Sequence, residues 1–120
     1  MASQVEVPAP GEFIASEANG DRSRENIIVA SGAGIVPAGR IMGKVTAGGK
    51  CVQLASGLAN GGQNFFGVLY AQVDATSADA PGVVMARDCE LVNARVTALT
   101  PADKSVALVA SMVTAGVILR

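Results

Sequence analysis

The chain has 120 residues, half of them apolar but only 3% aromatic, with nine basic and ten acidic side chains, a net charge of −1 and no histidine. This length holds one domain, whose core must be built from Val, Ala, Ile, Leu and Met in place of rings. The charge balance leaves no electrostatic footprint for nucleic acid, and without histidine the commonest general base and metal ligand is missing, so any catalysis would fall to carboxylates, lysine or a thiolate. A mean hydropathy of +0.41 with only 16% charged residues predicts that part of the apolar surface faces another subunit.

Residues 1–11 read as an extended N-terminal arm. Val5, Glu6 and Val7 alternate before Pro8, Pro10 and Gly11, so the segment cannot be helical and has too little apolar content to fold alone. Such a terminus is either a solvated tail or a strand that adds to a partner's sheet edge. Its first ten residues hold no cation and no continuous apolar run, so no secretory leader is expected, and synthesis in a cytoplasm follows. Residues 12–120 are expected to form the body. In its first stretch Glu17, Asp21, Arg22, Arg24 and Glu25 surround the turn pair Asn19-Gly20 and precede Ile27-Ile28-Val29, a polar turn leading into a first buried strand.

From there to residue 99 the pattern is of short strands punctuated by glycine. Ile35-Val36 runs into the Pro37-Ala38-Gly39 turn, and Arg40–Thr46 alternates, which predicts a half-exposed strand with Ile41 and Val45 on its covered face. Arg40, Lys44 and Lys50 mark its solvent side and turn. Ala47-Gly48-Gly49-Lys50 closes a hairpin into Cys51–Leu54, and residues 55–64 form a polar surface loop. Phe65–Val73 is the most apolar strand, its two phenylalanines expected to anchor the core; Gly82–Arg87 and Glu90–Leu99 supply further strands. Alternation of this kind favours an antiparallel, partly solvated sheet.

One helix is predicted near the C-terminus. Thr100 offers an N-cap hydroxyl, Pro101 suits the first helical position, and Asp103 favours the helix dipole. Ala102, Val106, Val109 and Val113 then mark an apolar stripe that Ala110, Leu108 and Met112 widen, Gly116 ends the helix in a left-handed cap, and Val117–Leu119 returns as a terminal strand. A helix apolar nearly all round needs cover on more than one side, while its length and its charged first turn, Asp103 and Lys104, argue against a membrane.

No motif for chemistry is complete. GAGIVPAG places Pro37 where a dinucleotide loop needs its third glycine, and AGGK lacks the remaining elements of a phosphate loop. Asp88 and Glu90 share a strand face and could hold a cation or share a proton, although exposure at a strand edge is the favoured reading. Cys51 and Cys89 are too far apart for a CxxC site and read as buried reduced thiols, with a disulfide as the lesser alternative.

Five groups of residues stand in order along the chain: Phe13, Ser16-Glu17-Ala18-Asn19-Gly20 and Ser23-Arg24-Glu25; Pro37-Ala38-Gly39 with Ile41–Val45; Gly67-Val68-Leu69-Tyr70 with Val73–Thr76; Val83-Val84, Arg87 and Glu90; and the closing Ala115–Arg120. In this order and with compatible gaps they resemble the head decoration proteins of lambda-type tailed phages. The resemblance spans roughly residues 12–120. It implies a non-enzymatic protein without cofactor or metal: a homotrimer on the outer surface of the expanded head, bound to the major capsid protein at local three-fold sites and stabilising the shell against internal DNA pressure. Val5, Val7 and Pro8 become the candidate capsid contacts of the arm, with Phe13 and Ile14 as candidates for the hinge where it docks. Ser16, Glu17, Arg22 and Arg24 receive no individual roles.

The expected fold is therefore mainly β with one C-terminal helix, a β-clip-like small single domain behind an extended arm. The alternative is a small β-clip ligand-binding or enzyme accessory module, because Val36–Met42 also looks like the PAG-containing turn of sugar-acid-binding β-clip domains. Residues 47–120 offer no catalytic set to accompany it.

Overall fold

Short β-branched runs separated by glycine turns dictate a meandering all-β body. The computed structural model describes residues 9–120 and contains ten strands: β1 (Ile14–Glu17), β2 (Arg24–Val29), β3 (Gly34–Val36), β4 (Ile41–Lys44), β5 (Cys51–Gln53), β6 (Phe65–Leu69), β7 (Val73–Ala75), β8 (Ala80–Met85), β9 (Cys89–Leu91) and β10 (Val117–Leu119). The one α-helix among the described residues, α1, spans Val106–Thr114. The architecture is mainly β with a single C-terminal helix, as its sequence predicts.

Five strands close into a barrel in the order β2-β5-β4-β6-β8, flanked by a three-stranded sheet β1-β9-β10 and a ribbon of β3 with β7. The longest seam runs antiparallel between β2 and β8, from Arg24 opposite Met85 to Val29 opposite Ala80. The predicted hairpin joins β4 to β5, with Lys44 opposite Cys51. Most pairings are antiparallel; β2 with β5 and β9 with β10 run parallel.

Alternation along the barrel strands divides the interior into two cores. Ile27, Val29, Met42, Cys51, Leu69 and Val84 face one another in the barrel lumen. Their neighbours Ile41, Val68 and Met85 face outward and meet Phe13, Leu91, Met112 and Val117 in a second core under the small sheet and α1. The barrel wall is thus buried on both sides there. The expected half-exposed strand at Arg40–Thr46 needs correction for that reason: Ile41 and Met42, on opposite faces, are both fully buried.

Other expectations shift as well. The predicted polar turn around Asn19-Gly20 is present, but a strand that was not predicted, β1, precedes it, because Ile14 and Glu17 find cross-strand partners in Leu91 and Cys89, which outweighs a composition poor in strand formers. The Phe65–Val73 strand ends at Leu69, and its continuation pairs elsewhere, as β7 against β3. Phe65 and Phe66 are only half-buried, Phe66 lying under the Lys44 ammonium at 4.8 Å, so they flank the cores and Phe13 anchors one. The Glu90–Leu99 strand stops at Leu91 and a 3-10 turn follows at Asn93–Arg95, although Val96 and Ala98 keep their inward face.

The helix begins later than predicted. Pro101–Asp103 form a separate 3-10 turn in which the Thr100 side chain caps nothing. The Lys104 ammonium donates to the carbonyls of Asn93 and Val96, both at 2.6 Å, and Ser105 caps α1 by accepting from the Leu108 amide. Of the expected apolar stripe, Leu108 and Met112 at its widened edge point inward, whereas Val106 and Val113 from its centre are 89% and 53% exposed. An almost uniformly apolar helix does not specify its own rotation, so the longer side chains take the core. Gly116 ends α1 with φ 90° as expected, and β10 follows.

Candidate functional site near the N-terminus

Chemistry-bearing residues gather where the N-terminal segment meets the body. The chain turns at Ala9–Glu12: the Glu12 amide donates to the Ala9 carbonyl at 3.1 Å, and the Glu12 carboxylate accepts from the Ala9 amide at 3.0 Å while pairing with the Arg95 guanidinium. Gly11 donates its amide to the Tyr70 carbonyl at 2.9 Å, which ties this turn to the segment following β6. Phe13 then drops into the second core at 1% exposure, and Ile14 starts β1 half-buried opposite Leu91. Of the residues expected to serve the arm, these two belong to the fixed body; Val5, Val7 and Pro8 lie outside the described residues.

The charged block between β1 and β2 resolves into intramolecular partners. Arg24 donates to Glu17 through both Nε (3.1 Å) and Nη2 (2.8 Å), a forked pairing that fixes geometry better than a single contact does. The same guanidinium sits 4.5 Å from the centroid of the Tyr70 ring. Its hydrogen bonds hold the Glu17 carboxyl below the usual carboxylate range. Ser23, fully buried, accepts from the Ala18 amide at 3.0 Å and donates to the Asp88 carbonyl at 2.9 Å, closing the Asn19-Gly20 turn.

The remaining members lie nearer the surface. Arg87 donates to the Glu25 carboxylate at 2.7 Å and to the Arg22 carbonyl at 3.0 Å, while the Arg22 side chain stands 3.7 Å from Asp88. Ser16 donates to Glu90 at 2.8 Å; that hydroxyl first and then the Arg120 guanidinium hold the Glu90 carboxyl low. Exposed ion pairs of this kind contribute only about 0–1 kcal/mol each. Their more informative property is direction, since they lace β1, β2, β9 and the C-terminus together. Sequence reasoning gives Tyr70 and Ser23 only as parts of the family resemblance and assigns Arg95 no role; no local pattern marks the contacts the three make.

Nothing in the described structure assembles reactive groups. Asp88 sits in a bend at φ 52° beside Arg22, while Glu90 faces Ser16 and Arg120, so the two carboxylates are separately engaged. No cluster of three or more His, Cys, Asp or Glu side chains placed to hold a metal occurs among the described residues. Cys51 and Cys89 are free and buried in different cores. The Pro37-Ala38-Gly39 turn packs inward, with Ala38 buried and the Gly39 amide donating to the Leu69 carbonyl at 2.8 Å. No helix among the described residues is long and apolar enough to cross a membrane.

These features define a small β-barrel body with one helix, whose charged groups around β1, β2 and β9 are paired with one another. The family model described as bacteriophage lambda head decoration protein D matches residues 3–116 of the chain. The chain belongs to that family. It is a phage head decoration protein, a structural component that binds the capsid of the virion. Among curated proteins and solved structures, no significant match to the chain is found.

Proposed function

We propose that this chain acts as a homotrimer on the outer face of the expanded head, seated at local three-fold positions where subunits of the major capsid protein meet, and that it stabilises the shell against internal DNA pressure. The observation that carries this reading is the family match along nearly the whole chain. Val5, Val7 and Pro8 are the proposed capsid contacts, adding main-chain hydrogen bonds at a sheet edge of the shell, with Phe13 and Ile14 holding the root. Three arms on one body act at high mutual effective concentration, and a protein that binds the assembled shell in preference to its parts stabilises it by mass action.

The exposed apolar side chains support a trimer. Val106, Val113, Ile35 and Leu99 are each more than half exposed, at 89%, 53%, 60% and 51%. A ring of three uses two different surfaces, one on each side of every subunit, so apolar residues on separate elements suit it better than one patch would.

Sedimentation of the purified protein with decoration-free expanded heads and with unexpanded shells of the encoding phage tests the proposal. The expected result is saturable binding to expanded heads at three copies per local three-fold site, with little binding to unexpanded shells and much weaker binding after removal of residues 1–8. Equal binding to both shells, or a monomer at saturation, would overturn it.

A further inference from the structure

Gly11, Tyr70, Arg24 and Glu17 form one connected unit at the point where the chain leaves the body. Gly11 has φ 71°, a conformation L side chains rarely adopt, and a Cβ placed there would lie 3.0 Å from Cε1 of Tyr70. The glycine is thus required twice, by its backbone and by the ring against it. Its amide is fixed by the Tyr70 carbonyl, and the Ile14 amide donates back to the Gly11 carbonyl at 3.0 Å, so the turn is held on both sides of the glycine. The ring is in turn set by Arg24, 4.5 Å from its centroid, and Arg24 is immobilised by its two bonds to Glu17.

The Arg24 and Glu17 side chains are 31% and 26% exposed, Ala9 and Pro10 are exposed, and Tyr70 packs against the edge of the second core, so the contacts join a surface turn to the body. What they do determine is the heading of the backbone at Ala9. We infer that Gly11, Tyr70, Arg24 and Glu17 are positioning residues that aim the N-terminal arm at its capsid site. The inference rests on the proposed role of the arm. A tethered segment contributes to binding only when its root points toward the site it must reach, and a misdirected one loses its effective concentration although every contact residue is intact.

The test uses Gly11→Ala and Tyr70→Leu in the full chain and again in a chain lacking residues 1–8, with Tyr70→Phe as the conservative variant that keeps the ring. Binding to decoration-free expanded heads is titrated by co-sedimentation, and Tm and oligomeric state are measured alongside. In the full chain Gly11→Ala and Tyr70→Leu should each weaken head binding by about tenfold or more, with Tyr70→Phe binding as the unaltered protein does. In the shortened chain neither substitution should change residual binding. Wild-type affinity of both variants, when the shortened chain has lost binding, would refute the positioning role and leave the arm's role standing. Equal losses in both backgrounds would refute it too, by assigning the residues to the body. A shortened chain that binds as the full one does would instead overturn the arm reading itself.

Discussion

Replacing Ser23 by alanine isolates the structural worth of the charged turn between β1 and β2. The side chain is fully buried and makes two bonds, accepting from the Ala18 amide and donating to the Asp88 carbonyl. Each contributes about 1 kcal/mol net, and the partners left behind lose more when water cannot reach them. Ala18 is half-buried, so water recovers part of its loss, and the total should be about 2–3 kcal/mol. For a domain of this size that corresponds to a Tm lower by about 6–12 °C. Calorimetry at one fixed protein concentration is the appropriate assay, because self-association makes Tm concentration-dependent. Ser16→Ala is the control: its exposed hydroxyl bonds only the Glu90 carboxylate, and its loss should cost within about 0.5 kcal/mol. Equal melting of the two variants would refute the reasoning and return the turn to the surface as a contact element.

Gly43→Ala should cost about 3 kcal/mol, because a Cβ there would lie 2.1 Å from the Gly62 carbonyl oxygen and backbone cannot swing aside as a side chain can. Gly57→Ala, with nothing within 4 Å, should leave the urea midpoint unchanged; similar midpoints for both would contradict the close packing. Glu17 titrates below its ordinary range when folded, so its pairing with Arg24 stabilises the protein above the unfolded value, about pH 4.3, and that contribution fades as pH falls through the folded one. The difference in urea midpoint between the unaltered protein and Arg24→Gln should therefore shrink as the pH is lowered from 6 into the acid range; a constant difference would contradict the assignment. Burial pushes the thiols of Cys51 and Cys89 up to about 11, so both should resist a thiol reagent at about pH 8 in the native protein and react together in denaturant. Rapid labelling of either in the folded state would show that its core is open.

Much of the fold was legible in local patterns. The β4–β5 hairpin, the Gly116 cap and the return of β10 each depend on a few neighbouring residues with specific turn chemistry, and each was read correctly. The ordered pieces from Phe13 to Arg120 likewise carried the family resemblance, which the match over residues 3–116 establishes. The candidate site was only half legible: the Glu17–Arg24 block stood out as a concentration of charge, but its partners Tyr70 and Asp88 are distant in sequence, and no spacing rule links them.

What periodicity and turn residues determined by themselves was the menu of short strands, one C-terminal helix and a body poor in rings, because those properties arise from interactions within a few residues. Tertiary structure decided which faces were covered. Ile41 and Met42 are both buried because a second core packs outside the barrel wall, and Leu108 and Met112 turn inward because α1, apolar almost all round, takes its rotation from the surface it meets. Closure of a barrel and docking of a helix are contacts between remote segments, so the chain's local pattern permits them without specifying them.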